Sequence, residues 1–455
     1  MNIVSIFTHE NIACQFIKIC ISTLYKYYID LYNLLEKITR IILFVILFLN
    51  VIISIHYLTS HHDEAIAQEQ PIIKDPNLQV ELLTEGLSWP TSMAFIDDNN
   101  ILVLEKEKGT IRLVSNGILQ EEPVLEVGVN SMNERGLLGI AIMNKDAVFL
   151  YYTESSQNGD QLRNRVYKYQ WNDEERLVNP TLILDLPAIP GPNHDGGKLI
   201  IGPDNYLYAI IGDLNHDGKL QNVVDGPDPD DTGVILRVNP ENGSPAPDNP
   251  FTNNEDNLLL NKYYAYGIRN SFGITFDPIT NVLWDTENGP SEYDEVNVVN
   301  PGFNSGWRQV MGPISKSDIT EDELVNFPNS KYADPVFNWL PSLGITDIEF
   351  LNSSKLGDKY TYNIFVGDIG ALTDGYLYYF EVNEDRTGIR FDSSSNQAGL
   401  TDLIADNEEE MYALALGTNF GGITDIETGP DGFLYILTLD RKADGEGKIY
   451  RIVLS

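Results

Sequence analysis

The chain has 455 residues, 42% of them apolar and 10% aromatic, which is ample for a sizeable core and excludes intrinsic disorder. Its 67 Asp and Glu against 30 Lys and Arg give a formal net charge of −37, which excludes nucleic acid as the main partner, because polyanion binding needs cationic side chains to displace counterions. Both cysteines, Cys14 and Cys20, lie near the N-terminus, so disulfides, thiolate zinc sites and cysteine nucleophiles are excluded for everything after residue 20.

In chain order the first predicted element is apolar. Residues 41–58 form an uncharged run of about 18 residues, the lower limit for a membrane-spanning helix. Lys37 and Arg40 precede it, and Asp63 and Glu64 follow. By the positive-inside rule residues 1–40 stay cytoplasmic, or serve as a signal n-region, and the acidic bulk is exported. Ala65-Ile66-Ala67 has the small-x-small pattern of a signal-peptidase site. The segment therefore reads as an anchor holding the domain on the outer face of the cell membrane, or as a signal released by cleavage near Ala67. Residues 59–77 read as a linker and 78–455 as the folded domain. Five of the acids and four of the bases precede residue 68, so the exported part carries a net charge of −36.

Beyond the linker a unit recurs: a short strand, a turn of Pro, Asp, Asn or Gly, then a second strand ending at an acid. The copies run from Met93 to Glu105, Ile140 to Glu154, Leu199 to Asp213, Ile274 to Glu287, Ile348 to Asp368 and Ile426 to Asp440. Period-2 alternation with turn residues between predicts β-hairpins. Further strand-like runs between copies (residues 109–114, 165–170, 234–238, 377–382) extend each hairpin to about four strands. The predicted class is all-β, a six-bladed β-propeller preceded by an N-terminal hydrophobic helix; two smaller β domains are the structural rival. The six terminal acids, Glu105, Glu154, Asp213, Glu287, Asp368 and Asp440, would recur at equivalent positions, as a cation-holding ring or merely as strand ends at solvent.

Only two histidines, His194 and His216, lie beyond residue 62. His194 sits in a Pro/Gly-rich loop ahead of a strand that delivers Asp213, the ingredients of an imidazole held by a carboxylate and so of a general base. Residues 213–218 (DLNHDG) match the opening of an EF-hand loop, but the twelfth position is Val224 and no helices flank it, so they read as a surface turn. The acidic loop 225–231 could wrap a hard cation. Arg269 is a cation suited to a carboxylate or a carbonyl, or to an internal salt bridge, and the Gly289-Pro290 turn presents oxygens of the kind Ca²⁺ prefers.

At these residues the sequence resembles the soluble quinoprotein glucose/sorbosone dehydrogenase family over residues 78–453. The landmarks are Glu134-Arg-Gly-Leu-Leu-Gly139, Asn193-His194 through Lys198, Ile211-Gly-Asp213, Gly267-Ile-Arg269-Asn270, Glu287-Asn-Gly-Pro290 through Asn297, Asn304-Ser-Gly-Trp307 and Gly429 through Thr438. The resemblance implies a six-bladed propeller using pyrroloquinoline quinone (PQQ) and Ca²⁺ to oxidise an aldose. By it, His194 is the base and Asp213 its support, Arg269 and Asn270 contact the quinone, and Glu134 is a polar active-site residue. The carbonyls of Gly289 and Pro290 match ligands of the cofactor's Ca²⁺, and Glu295 with the Ser305 carbonyl matches a second, structural calcium site.

The departures fall in the last two blades. Where the family carries Arg-x-Arg-Asp to grip the quinone's carboxylates, this chain has Gly422-Ile423-Thr424-Asp425, and residues 366–373 contain no base. A trianionic cofactor entering a domain of net charge −36 without paired cations meets desolvation and repulsion. Three functions follow as expectations: a PQQ- and calcium-dependent sugar dehydrogenase, a non-catalytic calcium-stabilised propeller binding glycans or a surface protein, and a metal-dependent hydrolase or lactonase.

Overall fold

The computed structural model describes residues 70–155, 161–252, 254–255, 257–391 and 397–455, together with residues 23, 24, 26, 27 and 37. The chain divides into two compact units, Met1–Gln68 and Glu69–Ser455. The apolar run 41–58 and the cleavage pattern at Ala67 lie outside the described residues, among which no helix is long and apolar enough to cross a membrane.

Among the described residues the strands of the second unit form six sheets. Each is founded on one of the sequence copies, whose two strands pair antiparallel as its first hairpin. The pairs are Pro90–Asp97 with Asn100–Glu105, Leu137–Asn144 with Ala147–Glu154, and Leu199–Ile201 with Leu207–Ile211. They continue as Ser271–Phe276 with Leu283–Glu287, Ile345–Phe350 with Ile364–Asp368, and Ile423–Thr428 with Leu434–Asp440. The first strands of neighbouring sheets touch, and that of the sixth sheet touches that of the first.

The turns show why these residues make hairpins. In Gly202-Pro-Asp-Asn205, Asn205 adopts φ 63°, and the Asp204 carboxylate accepts the Tyr206 N–H at 3.1 Å and the Tyr208 hydroxyl at 2.9 Å. Gly429-Pro-Asp-Gly432 repeats the device, Asp431 accepting from Phe433 N at 3.1 Å and from the Tyr435 hydroxyl at 2.9 Å. Each turn acid also meets an arginine of the third strand, Arg237 at 2.8 Å and Arg451 at 3.1 Å. Asp and Gly do this because a short carboxylate caps its own turn and glycine accepts a positive φ.

The core lies between sheets, not inside one. Along Leu207–Ile211, Leu207, Ala209 and Ile211 join the buried cluster shared with the second sheet, while Tyr208 and Ile210 join the cluster shared with the fourth. This is the period-2 alternation of a strand with a neighbour on both faces. A further cluster joins Tyr435, Leu437 and Ile449 of the last sheet to Met93, Ile101 and Val103 of the first. At about 1.5–3 kcal/mol per fully buried large aliphatic side chain, these inter-sheet clusters are the main favourable term.

Closure uses both ends of the domain. Strand Leu78–Ser88 pairs with the C-terminal strand Glu446–Leu454, so the last sheet takes its outer strand from the start of the domain. Ile72 and Ile73 pair with Thr418 and Gly417, upstream of residue 78, where the sequence places the domain's start. The only α-helix described in this unit is Glu408–Leu414, seven residues capped by the Asn407 side chain on Glu410 N. The fold is all-β and propeller-like.

Candidate active site

The loops that lead into the first strands of the second, third and fourth sheets carry Glu134, His194 and Arg269-Asn270, and with Asp213, which follows the third sheet's second strand, they bring five of the predicted residues together. His194 Nδ1 lies 2.6 Å from Asp213 Oδ1. Its backbone takes φ 63°, and its N–H donates to Glu134 Oε2 at 2.7 Å. The same Glu134 oxygen accepts Asn270 Nδ2 at 2.9 Å, so Glu134 ties the histidine loop to the Arg269-Asn270 turn. Asp213 N donates to the Arg269 carbonyl at 2.8 Å. Gly212 permits this approach: a Cβ there would stand 2.4 Å from the His194 carbonyl oxygen and 2.7 Å from that of Arg269.

Two residues whose roles the sequence left unstated complete the pair. Trp307 Nε1 donates to Asp213 Oδ2 at 2.7 Å, and Asn215 N donates to Oδ1 at 2.7 Å. Arg269 lies with its guanidinium carbon 5.2 Å from the centre of the Trp307 ring. Its Nη1 donates to the Asn288 carbonyl at 2.8 Å and its N–H to Glu287 Oε1 at 2.6 Å. Burial lowers the Arg269 pKa from its ordinary value against the pull of Asp213 and Glu287. Its Nε and the Asn270 Oδ1 are buried without a partner, a donor and an acceptor free for a ligand.

Beneath His194, Asp195 is fully buried, accepts Asn164 Nδ2 at 3.0 Å and lies 4.0 Å from Arg135. Burial pushes its carboxyl up to about 6. His216 faces Asp230 at 3.2 Å instead. The EF-hand-like turn is divided in use, Asp213 turning to His194 and Asp217 pairing with Arg308. In the acidic loop 225–231, Asp228 meets Lys219 and Asp231 meets Lys262, so lysines pair with two of its four acids.

The six terminal acids do not converge. Glu105 accepts Ser88 N and the Thr110 hydroxyl, Glu154 pairs with Arg165, and Asp440 caps Lys442 N and Ala443 N. Asp368 accepts Gly370 N and the Thr373 hydroxyl, each at 2.7 Å. Neither reading of these acids holds for all six: each has its own partners, and Glu105, Asp213, Glu287 and Asp368 are buried instead of ending strands at solvent. Among the described residues no group of three or more Asp, Glu, His or Cys could hold a metal ion.

The predicted metal-site residues lie on the fourth sheet and its loops. Gly289 is half-buried, its N–H on Asp294 Oδ1 at 3.0 Å, and Pro290 is exposed. Glu295 is buried and accepts Gly312 N at 2.5 Å. The Ser305 hydroxyl donates to Glu287 Oε2 at 2.7 Å. Strand pairing sets Glu287 opposite Glu295 and Asp285 opposite Asn297. Both Asp285 carboxylate oxygens and Asn297 Oδ1 are buried without a partner. Burial raises the carboxyls of Asp285 and Glu295 well above their usual range and Glu287 to about 7. Unpartnered hard oxygens of this kind suit a cation such as Ca²⁺.

On the fifth and sixth sheets the site is of another kind. Gly422 is buried, and a Cβ there would lie 2.6 Å from the Ile369 carbonyl oxygen. Asp425 accepts Met93 N at 2.6 Å and pairs with Lys198, which also meets Asp347 at 2.9 Å.

The fold is that of a propeller-like β scaffold carrying a carboxylate-held histidine beside a guanidinium with an unpartnered nitrogen, and the family match makes the class that of an oxidoreductase. The family model for glucose/sorbosone dehydrogenases matches residues 87–451, and the chain belongs to that family. It is 27% identical over 367 residues to the aldose sugar dehydrogenase YliI of Escherichia coli K12, covering 79% of this chain and 90% of that protein. It is 28% identical over 266 residues to quinoprotein glucose dehydrogenase B of Acinetobacter calcoaceticus, covering 52% and 54%. A crystal structure from Thermus thermophilus, described as an oxidoreductase (glucose dehydrogenase), superposes with a TM-score of 0.62 at 28% identity, covering 83% of this chain and all of that one.

Proposed function

We propose that this protein is a quinone-dependent sugar dehydrogenase, with its six sheets as the blades of a propeller and His194 as the base that takes the proton of the sugar's C1 hydroxyl. The observation that carries the reading is the 2.6 Å contact of His194 Nδ1 with Asp213. It leaves Nε2 to face a substrate, and the carboxylate supports the imidazolium that forms as the proton arrives. Arg269 Nε and Asn270 Oδ1 are the groups free to hold PQQ, which when bound supplies the two-electron acceptor for hydride from C1. Ca²⁺ belongs in the same reading, through the Gly289 and Pro290 carbonyls at the cofactor and through Glu295 and Ser305 at a second position, where the unpartnered oxygens of Asp285 and Asn297 support it.

The test is reconstitution with PQQ and Ca²⁺ followed by dye-linked oxidation of an aldose panel. Quinone binding with turnover that His194→Ala abolishes is the expected result; no binding and no turnover would sink the reading. A second reading, a calcium-stabilised propeller that binds glycans or a surface protein without turnover, is favoured by the lack of cations at Gly422 and Thr424. It predicts glycan binding that His194→Ala leaves unchanged. The charge flanking residues 41–58 supports a domain on the outer face of the membrane, or one released after Ala67, which N-terminal sequencing of the exported protein would decide.

A further inference from the structure

We infer that Trp307 is a positioning residue for the His194 base, holding Asp213 in the plane that the imidazole needs. The inference rests on the reading of His194 as a base and adds the element that orients its carboxylate. Asp213 is 3% exposed, and its two oxygens are served unequally. Oδ1 takes both His194 Nδ1 at 2.6 Å and Asn215 N at 2.7 Å, whereas Trp307 Nε1, at 2.7 Å, is the donor on Oδ2. Two donors on one oxygen fix a point. A third donor on the other oxygen fixes the plane of the carboxylate, and with it the direction in which Oδ1 meets the ring.

The indole can act as a fixed lever because its own backbone is held. Trp307 N donates to the Gly267 carbonyl at 3.2 Å, and the Trp307 carbonyl accepts Asn222 Nδ2 at 2.9 Å. Asn222 is itself bonded to Asn304 in both directions at 2.9 Å, so the segment 304–307 is anchored beside the Gly267–Asn270 turn. Indole has a single donor and no acceptor, and that donor is on the carboxylate. The Arg269 guanidinium 5.2 Å from the ring centre draws on the π face, which favours donation at the ring edge. Arg269 also accepts Asp213 N on its carbonyl, so base, carboxylate, indole and guanidinium form one connected set. Removing the indole N–H would leave a buried carboxylate oxygen without a donor, and the side chain would turn to share Oδ1's donors.

The test is Trp307→Phe in the full chain, read first by NMR of the histidine ring. The unsubstituted protein should show a downfield imidazole N–H resonance that Asp213→Ala abolishes. Trp307→Phe should broaden or shift that resonance while the circular dichroism of the fold is retained. In the PQQ- and Ca²⁺-reconstituted enzyme, kcat should fall roughly tenfold with the KM for sugar unchanged, the pattern of a lost orienting contact. A Trp307→Phe protein whose imidazole resonance matches the unsubstituted one overturns the inference, whatever its turnover. If Trp307→Phe does not fold, the reciprocal measurement decides. Of the five indole N–H resonances, Asp213→Ala should speed the solvent exchange of one by at least about tenfold, as loss of a hydrogen bond requires. No change in any of the five overturns the inference. Neither NMR readout needs turnover, so failure of the dehydrogenase reading would show separately, as an intact His194–Asp213–Trp307 contact in a protein that oxidises no sugar.

Discussion

The two sides of the candidate site are built from equivalent positions of the repeat and behave differently. On the third and fourth sheets, the acids that end the second strands hold functional groups: Asp213 holds His194, and Glu287 accepts Arg269 N. On the fifth and sixth, they hold only their own loops. Asp368 is consumed by Gly370 N and Thr373, and Asp440 by the turn after it. There the loops also pack backbone on backbone, since a Cβ on Gly370 would lie 1.6 Å from the Gly421 carbonyl oxygen. A repeated scaffold fixes where an acid sits, and the loop grafted beside it decides whether that acid is free for chemistry.

The comparison can be broken most sharply at the base. His194→Ala should cost roughly a thousandfold in turnover, the scale of a lost general base, and Asp213→Asn somewhat less; steady-state kinetics of the reconstituted enzyme would measure both. Next in size is the cofactor side. Arg269→Ala should weaken quinone binding about a hundredfold, as removal of a half-buried charge partner does, and titration calorimetry would read it. Thr424 is half-buried, and Thr424→Arg would restore one cation to the silent side and tighten the quinone about tenfold. An unchanged affinity would mean that this side takes no part in binding.

Gly212→Ala tests the packing that joins the two halves of the active side. With two carbonyls within 2.7 Å of the added carbon, stability should fall by roughly 3 kcal/mol in denaturant melts. The smallest effect is expected at Glu349, on the first strand of the fifth sheet. Burial pushes Glu349 up to about 7, although the hydroxyls of Thr428 and Thr275 donate to it. A raised carboxyl binds its proton more tightly folded than unfolded. Its contribution is therefore full below the ordinary glutamate range and is lost as pH rises through about 7. Glu349→Gln should flatten the fall of stability between about pH 4.5 and 7, by on the order of 1–2 kcal/mol in denaturant melts. A slope identical to that of the unsubstituted protein would refute the assignment.

Much of this was legible in the chain. The six hairpins follow from alternation and turn residues, and His194 with Asp213 follows from a loop leading into a short strand, because both signals are local. Trp307 is 94 residues from Asp213 and carries no local mark of a donor to it. Asp285 shows as an unpartnered buried acid only once strand pairing sets it opposite Asn297. The acids that end the second strands do not form one ring because each has separate partners, in its own loop for Asp368 and Asp440 and from distant segments for Asp213 and Glu287. Lys198, 227 residues from Asp425, is a cation that the sixth sheet does hold, and it is shared with Asp347 of the fifth.

By itself the sequence determined the β class, the repeat, the pairing of His194 with Asp213 and the excess of acid, since composition, periodicity and short spacings are local properties. The tertiary structure decided which acids are spent and which are free. It also joined Leu78–Ser88 to the C-terminal strand and brought the Trp307 indole onto Asp213. Those outcomes depend on contacts between distant segments, whose loop-closure cost is repaid only when the sheets pack together.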